Sequence, residues 1–327
     1  MLTAIAEARS DATSLLLGFA PTPAAHSVPP PVTTATPNIS LQALLDEYVS
    51  VKKSRLKPDT VRRYRDCLDR YWADHLSQPA ENLTPDVFRA HFITLPSPAQ
   101  ANHSLRIIRA LFNFYNAAHD KNLLNPVQKV LKLEGAFIVR PRDRLIADED
   151  QARWHASIQQ GSRTSAELFT TLALTGLRLG EGLRLSWECV DFEKSSLTIP
   201  ETKNGKPLLI PMGSRLKALL SKRKTDLRRE SGRVFGLNPR NERLEVAASR
   251  KRSGVDWSAH DLRRTFVTLA TRLEVPDRMV KRLVNHTERD VTGMHYIRLS
   301  VDTLRPYTQR IEDELFRLWR GDNEQPN

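Results

Sequence analysis

The sequence predicts a mainly α-helical protein of two folded units, the second of which carries one small antiparallel sheet. Three observations lead there. Apolar residues recur at helical spacing through nearly all of residues 40–132, behind start signals such as Ser40, Pro58 and Thr84-Pro85. Asn204-Gly205 stands between two β-rich runs, Leu197-Thr198-Ile199 and Leu208-Leu209-Ile210, which is the strongest short-range hairpin signal. A basic stretch from Gly135 to Arg144, with Arg140-Pro141-Arg142, separates the two regions as a linker.

The expected organisation is a Pro-rich N-terminal tether over 1–38, a helical domain over 39–133, a linker over 134–145 and a second domain over 146–327. Pro21, Pro23, Pro29, Pro30, Pro31 and Pro37 lie among Ala, Thr and Ser, a composition that buries too little apolar area to offset its ordering entropy. Ser40 is an N-cap candidate, and Leu41, Leu44, Leu45, Tyr48 and Val49 share one helical face. From Pro58 a second helix turns Val61, Tyr64, Leu68 and Tyr71 inward and leaves Arg62, Arg63 and Arg65 off that stripe. Thr84-Pro85 opens a third helix through Val87, Phe88 and Phe92. A fourth runs from about Asn102 to Ala118, with Leu105, Ile108, Phe112 and Tyr115 inward and Arg106 and Arg109 elsewhere on its surface.

In the second domain, helices are expected over Asp148–Ile158 and Thr164–Thr175, the latter capped by Gly176, and a brief one around Glu181–Leu185. After the hairpin the chain is helical again, including Asp261–Leu273, Asp277–Val284 and a final amphipathic helix from Ser300 or Asp302 to Trp319.

Charge narrows the partner class. The formal net charge is +12 and the sequence pI about 9.9, which fits a polyanion such as nucleic acid. Cys67 and Cys189 have no metal-ligand or redox spacing and read as free thiols of a reducing compartment. No apolar run reaches bilayer length, and Ser14–Ala20 has the wrong flanks for a signal peptide, so the expected location is the cytoplasm.

Five separated stretches could supply one phosphate site: Thr175-Gly176-Leu177-Arg178 with Glu181, Lys203 beside Asn204-Gly205, His260-Asp261-Leu262-Arg263, His286 and Tyr296. Arginine forks suit phosphate through paired, charge-assisted hydrogen bonds, although a lone Arg178 would read as a surface residue. Glu181, one turn on, could hold a neighbouring cation or imidazole. Lys203 at a hairpin tip could reach a leaving oxygen, and Lys206 across the turn competes with it. His260 and Arg263 are spaced i, i+3 near a helix start, with Ser258 as cap candidate and Arg264 facing elsewhere. A phenol such as Tyr296 becomes a nucleophile only beside positive charge or a base.

These motifs resemble the tyrosine recombinases, the phage-integrase family. Thr175–Glu181 is similar to its first box, Lys203 to its β-hairpin lysine, and His260-Asp261-Leu262-Arg263-Arg264-Thr265-Phe266 to its second box. Leu283-Val284-Asn285-His286 stands where the family usually has Leu-Gly-His, with Asn285 in place of glycine. Tyr296 falls at the nucleophile position. The likeness is specific over roughly 145–300 and looser over 40–132, which look like the family's helical, SAM-like core-binding domain.

The resemblance implies cutting and rejoining of duplex DNA through a 3′-phosphotyrosyl link, with no metal or cofactor. It casts Arg178 and Arg263 as phosphate ligands, Lys203 as acid to the leaving oxygen, His260 as proton acceptor, His286 as hydrogen-bond donor and Glu181 as support. Implied partners are double-stranded DNA attachment sites, three further copies in a homotetramer, and accessory DNA-bending or excision factors, at the nucleoid. Arg62, Arg63, Arg65, Arg106 and Arg109 are the candidate DNA-contacting residues of the first domain. Integration and excision of a mobile element is the leading role. Xer-like resolution, transposon recombination, type IB topoisomerase chemistry and a catalytically idle DNA-binding regulator are the alternatives. Only about forty Pro-rich residues precede the first helix, where many integrases carry an arm-binding domain, so a minimal recombinase and a truncated start both fit. The stripe Ile311, Leu315, Leu318 and Trp319 would either dock on a neighbouring protomer or pack on its own domain.

Overall fold

A computed structural model describes residues 39–119, 122–140, 143–200, 207–286 and 300–322. The chain divides into two compact units, 1–140 and 141–327. Lys203, its Asn204-Gly205 turn, Tyr296 and the Pro-rich tether lie outside the described residues.

In the first unit, α1 (Leu41–Val51) is capped by Ser40, whose hydroxyl accepts from the Ala43 amide at 3.1 Å. Pro58 begins α2 (Pro58–Tyr71), and a short α3 (Ala73–Leu76) follows. Thr84 caps α4 (Pro85–Phe92). The next helix, α5 (Pro98–Ala118), starts four residues before the Asn102 expected from periodicity, because Pro98 is already suited to the first turn. Asn125 caps α6 (Pro126–Leu133), which the sequence reading did not single out. Leu44, Leu68, Trp72, Phe88, Ile108 and Phe112 are fully buried at the centre of this unit. Phe137 packs against the same core, and its backbone is held by both amide atoms of Asn102, so the chain leaves this unit only after it.

The second unit opens with α7 (Asp148–Gln159) and α8 (Arg163–Thr175), followed by α9 (Leu179–Arg184). The sheet is β1 (Val190–Asp191), β2 (Ser196–Ile199) and β3 (Leu208–Pro211), antiparallel in that order. Leu197 lies opposite Ile210 and Ile199 opposite Leu208, all four buried, while Thr198 and Leu209 face outward. The two residues of β1 are too few to show an alternation, which is why the sequence gives no sign of a third strand. Then come α10 (Ser214–Leu227), α11 (Pro239–Ser253), α12 (Ala259–Arg272), α13 (Asp277–Leu283) and α14 (Val301–Arg320). Helix α8 is buried along most of its length, and α12 packs on it.

The tail question resolves toward its own unit. Ile311, Leu315, Leu318 and Trp319 are buried on α7, α8 and β3, the Trp319 ring stacks 4.3 Å from that of His155, and its indole N–H donates to Gln151 at 3.0 Å. Docking of this stripe on a neighbouring protomer is therefore not available without unpacking the core. Among the described residues no helix is long and apolar enough to cross a membrane.

Candidate active site

The site is built on three chain ends: the end of α8, the start of α12 and the end of α13. Gly176 ends α8 in the left-handed region, at φ 65°, and a Cβ there would lie 2.7 Å from the Phe266 ring of α12. Both the turn and the close approach require glycine. Two residues on, Arg178 begins α9, and Glu181 folds back on it. One carboxylate oxygen accepts the Arg178 amide at 2.9 Å, and the other accepts its Nη1 at 3.0 Å. The Glu181 side chain is 2% exposed and that of Arg178 26%, so a buried carboxylate holds a guanidinium that still reaches solvent. The partner Glu181 fixes is thus a cation.

Ser258 caps α12, and Asp261 completes the cap by accepting the Ser258 amide at 2.8 Å and its hydroxyl at 2.9 Å. Asp261 is 2% exposed and also binds Arg144 at 2.8 Å, so the aspartate of the second box fastens the helix start instead of facing the site. His260 is exposed in the first turn. Arg264 turns away, donating to the Arg144 carbonyl at 3.4 Å.

Arg263, 4% exposed, is the keystone. Its Nη1 donates to the Gly176 carbonyl at 2.7 Å and its Nη2 to the Val284 carbonyl. Each of those carbonyls lies two residues before another site residue, Arg178 in one case and His286 in the other. One guanidinium therefore fixes the two segments that present them. The second of these segments ends in a paired-bond helix cap: the His286 amide donates to the Lys281 carbonyl at 2.9 Å and the Asn285 amide to Arg282 at 3.3 Å. Asn285 adopts φ 49°, the conformation glycine would favour and asparagine tolerates better than most residues, which explains the substitution at that position.

Four of the expected groups share one electrostatic environment. Burial, and then the Arg178 guanidinium, pulls Arg263 down to about 10, against the opposing pull of Glu181. Although His260 is exposed as a residue, partial desolvation of its ring and then Arg264, Arg263 and Arg178 hold it below the ordinary histidine value, partly offset by Asp261. His286 is lowered by burial and then by Arg263, Arg178 and Lys281, with Asp277 opposing. Two guanidiniums and two neutral imidazoles at one place form a receptor for an anion that can also exchange protons. Among the described residues no cluster of His, Cys, Asp and Glu could hold a metal ion.

Of the first unit's candidate residues, Arg62 pairs with Asp59 at 3.0 Å and Arg65 with Asp46 at 2.7 Å. Arg63 and Arg106 line a common cleft, and Arg109 is exposed one turn beyond Arg106. Sequence reasoning missed the supporting roles of Arg144 and Asp261. The Ser258-x-x-Asp261 spacing is a cap signal that could have revealed the second.

Residues 148–302 match the phage integrase family, a span that includes Lys203 and Tyr296. This region of the chain is thus similar to that family of tyrosine recombinases. Among curated relatives, the prophage integrase IntF of Escherichia coli K12 is 28% identical over 73% of this chain and 55% of its own. A shufflon-specific DNA recombinase of Escherichia coli is 24% identical over 70% of this chain and 61% of its own. The chain thus spans little more than half the length of these relatives. The fold is that of solved integrases. A lambda integrase dimer bound to a COC′ core site superposes with a TM-score of 0.62 at 20% identity, covering 80% of this chain and 81% of that one. The Tn1549 transposon integrase with transposon right end DNA gives 0.60 at 16% identity, covering 83% and 99%.

Proposed function

We propose that this chain is a tyrosine recombinase of the phage-integrase family, a site-specific enzyme that cuts and rejoins duplex DNA through a 3′-phosphotyrosyl intermediate on Tyr296. The observation that carries the reading is the meeting of Arg178, Arg263, His260 and His286 from three separate helix ends in one cationic environment.

Arg178, aimed by Glu181, and Arg263, anchored by two carbonyls, hold the non-bridging oxygens and stabilise charge as the phosphorane-like transition state forms. The Tyr296 oxygen forms a bond to phosphorus as the bond to the 5′ oxygen breaks. His260, neutral because of its surroundings, accepts the phenol proton. Lys203 gives a proton to the departing 5′ oxygen, and His286 donates a hydrogen bond to the phosphate. A 5′-hydroxyl of the partner strand reverses these steps, so ester energy is conserved and no nucleotide cofactor is consumed.

The substrates are double-stranded attachment sites of a mobile element, bound by four copies in the cytoplasm at the nucleoid, with accessory bending or excision factors setting direction. This assignment is supported by the prophage integrase among the relatives and by the fold of integrases solved on DNA, one of them a lambda integrase tetramer bound to a Holliday junction. Xer-like resolution is the second reading, favoured by a Saccharolobus solfataricus XerA that is 27% identical over 51% of the chain. A duplex built from the DNA flanking the gene, nicked beside the cleavage position, tests the chemistry by trapping a covalent protein–DNA product. Wild type should trap and Tyr296→Phe should not. No trapped product with wild type, or equal amounts with both, would refute the reading. Relaxation of a plasmid lacking any such site would point to topoisomerase chemistry instead.

A further inference from the structure

The stretch that enters the second unit ahead of α7 is tied to α12 at three levels. The first unit ends at Arg140, and Arg144 follows a few residues on. The Arg144 Nε donates to Asp261 Oδ2 at 2.8 Å, Nη2 lies equally close to that oxygen, and the Arg144 carbonyl accepts Arg264 at 3.4 Å. One turn further along α12, Thr265 Oγ1 accepts the Ile146 amide at 3.0 Å. Near the helix end Arg272 pairs with Asp148. Residues 144–147 carry no helix, and from Arg144 to Asp148 such a chain reaches about 13–14 Å at most. From Asp261 to Arg272 the helix rises about 16 Å. The stretch is therefore a strap laid along α12, running in the same direction, with Ile146 buried beneath it.

What the strap grips at its head is the first turn of the helix. Asp261 is 2% exposed, and a buried carboxylate stripped of its cation is costly. The oxygen that takes Arg144 also accepts the Ser258 amide and hydroxyl, which closes the turn from Ser258 to Asp261. His260 lies inside that turn. Its ring makes no hydrogen bond or ion pair among the described residues, so the backbone of the turn is what places it. Arg263 is different, because two carbonyls hold its guanidinium directly. Without Arg144, the cation left to Asp261 is Arg264, 3.6 Å from its other oxygen. A carboxylate that swings toward Arg264 loosens its hold on Ser258, and the turn that carries His260 loosens with it.

We propose that Arg144 is a positioning residue for the strand-cleavage reaction: by holding Asp261 it fixes the first turn of α12, and through that turn it sets where His260 stands to receive the phenol proton. Arg144 itself touches neither substrate nor reacting atoms. The segment that joins the two units thus enters the second one on the side chain that fixes the turn carrying His260. Asp256 supplies an internal control. It contacts the same guanidinium, yet it is 67% exposed and its other partner is Arg250 of α11, outside the turn.

The inference rests on the recombinase reading, and a double-mutant cycle in the full chain tests it. The rate of covalent trapping on the nicked duplex would be measured at saturating DNA, beside the affinity for the same duplex by anisotropy. Arg144→Gln should slow trapping about tenfold, as a small misplacement of a reacting group does, with affinity within about twofold of wild type. Asp256→Asn should keep the wild-type rate within about twofold. In a His260→Gln background, where trapping is already slow, Arg144→Gln should cost less than about twofold more, because the two residues act as one unit. A merely structural arginine would instead slow both backgrounds by the same factor, and that result would overturn the proposal. So would a wild-type rate in Arg144→Gln, or equal losses in Arg144→Gln and Asp256→Asn. If Arg144→Gln does not fold, Arg144→Lys, which keeps a cation on Asp261, replaces it in the cycle with an expected loss of about threefold and the same two outcomes. Wild type that traps no DNA would sink the recombinase reading and this inference together, whereas trapping by wild type with equal factors in the two backgrounds would sink this inference alone.

Discussion

Arg263→Lys and Arg178→Lys should both abolish strand cleavage, yet they should differ sharply in thermal stability. Arg263 is 4% exposed and bonds the Gly176 and Val284 carbonyls with two different nitrogens. A lysine ammonium can reach one of those carbonyls at most and strands the other. Hydrogen bonds from a charged donor contribute about 1.5–3 kcal/mol each, and an unmet buried carbonyl adds its own desolvation cost, so about 2–3 kcal/mol is lost. For a unit of this size each kcal/mol moves Tm by about 2–4 °C, giving a drop of about 4–12 °C. Arg178 is different. Its side-chain partner among the described residues is Glu181, its side chain is 26% exposed, and a lysine keeps that ion pair. A loss of about 0–1 kcal/mol, hence under about 4 °C, is expected. Differential scanning calorimetry of the two variants, beside the trapping assay, makes the comparison. Equal shifts in Tm would show that Arg263 is not the clamp joining the ends of α8 and α13.

Three further outcomes follow from the geometry. Because burial and then Arg264 hold His260 below the ordinary histidine value, the acid limb of cleavage should lie below pH ~6.5, and Arg264→Gln should move it upward in a pH–rate profile. In Gly213→Ala the new Cβ would stand 2.5 Å from the Glu312 carboxylate, which accepts the amides of Arg215 and Leu216 at 2.8 and 2.9 Å. Displacing that cap of α10 should cost about 2–3 kcal/mol, read in urea denaturation. At Asn285, φ 49° predicts that Asn285→Gly is close to neutral, while Asn285→Ala loses about 1–2 kcal/mol in the same measurement.

What could be read from sequence was local. Gly176 as a cap, Ser258 as an N-cap and the β2–β3 pairing each depend on residues within a few positions, and the structure bears all three out. The grouping of Arg178, His260, Arg263 and His286 was expected from the resemblance of their motifs to a known family. Long-range support was invisible. Arg144 reaches Asp261 across 117 residues, and the Arg263 donors go to backbone carbonyls, which carry no side-chain signature in a sequence. The same holds on the surface: whether an arginine of α2 is paired or open depends on carboxylates such as Asp46 of α1, so Arg62, Arg63 and Arg65 look alike until the helices are packed. The α14 stripe shows the reverse case, since its periodicity is equally good for a neighbour and for the α7 face it in fact covers.

The central claim is that Tyr296 makes the covalent bond, and peptide mapping of the trapped complex tests it most directly. Trypsin cuts after Arg289 and Arg298, releasing residues 290–298, in which Tyr296 is the one tyrosine. Mass spectrometry should find this peptide carrying the 3′ end of the cut strand through a phosphodiester on the phenol. A nucleotide mass on any other peptide, or on a side chain other than the Tyr296 phenol, would contradict the account.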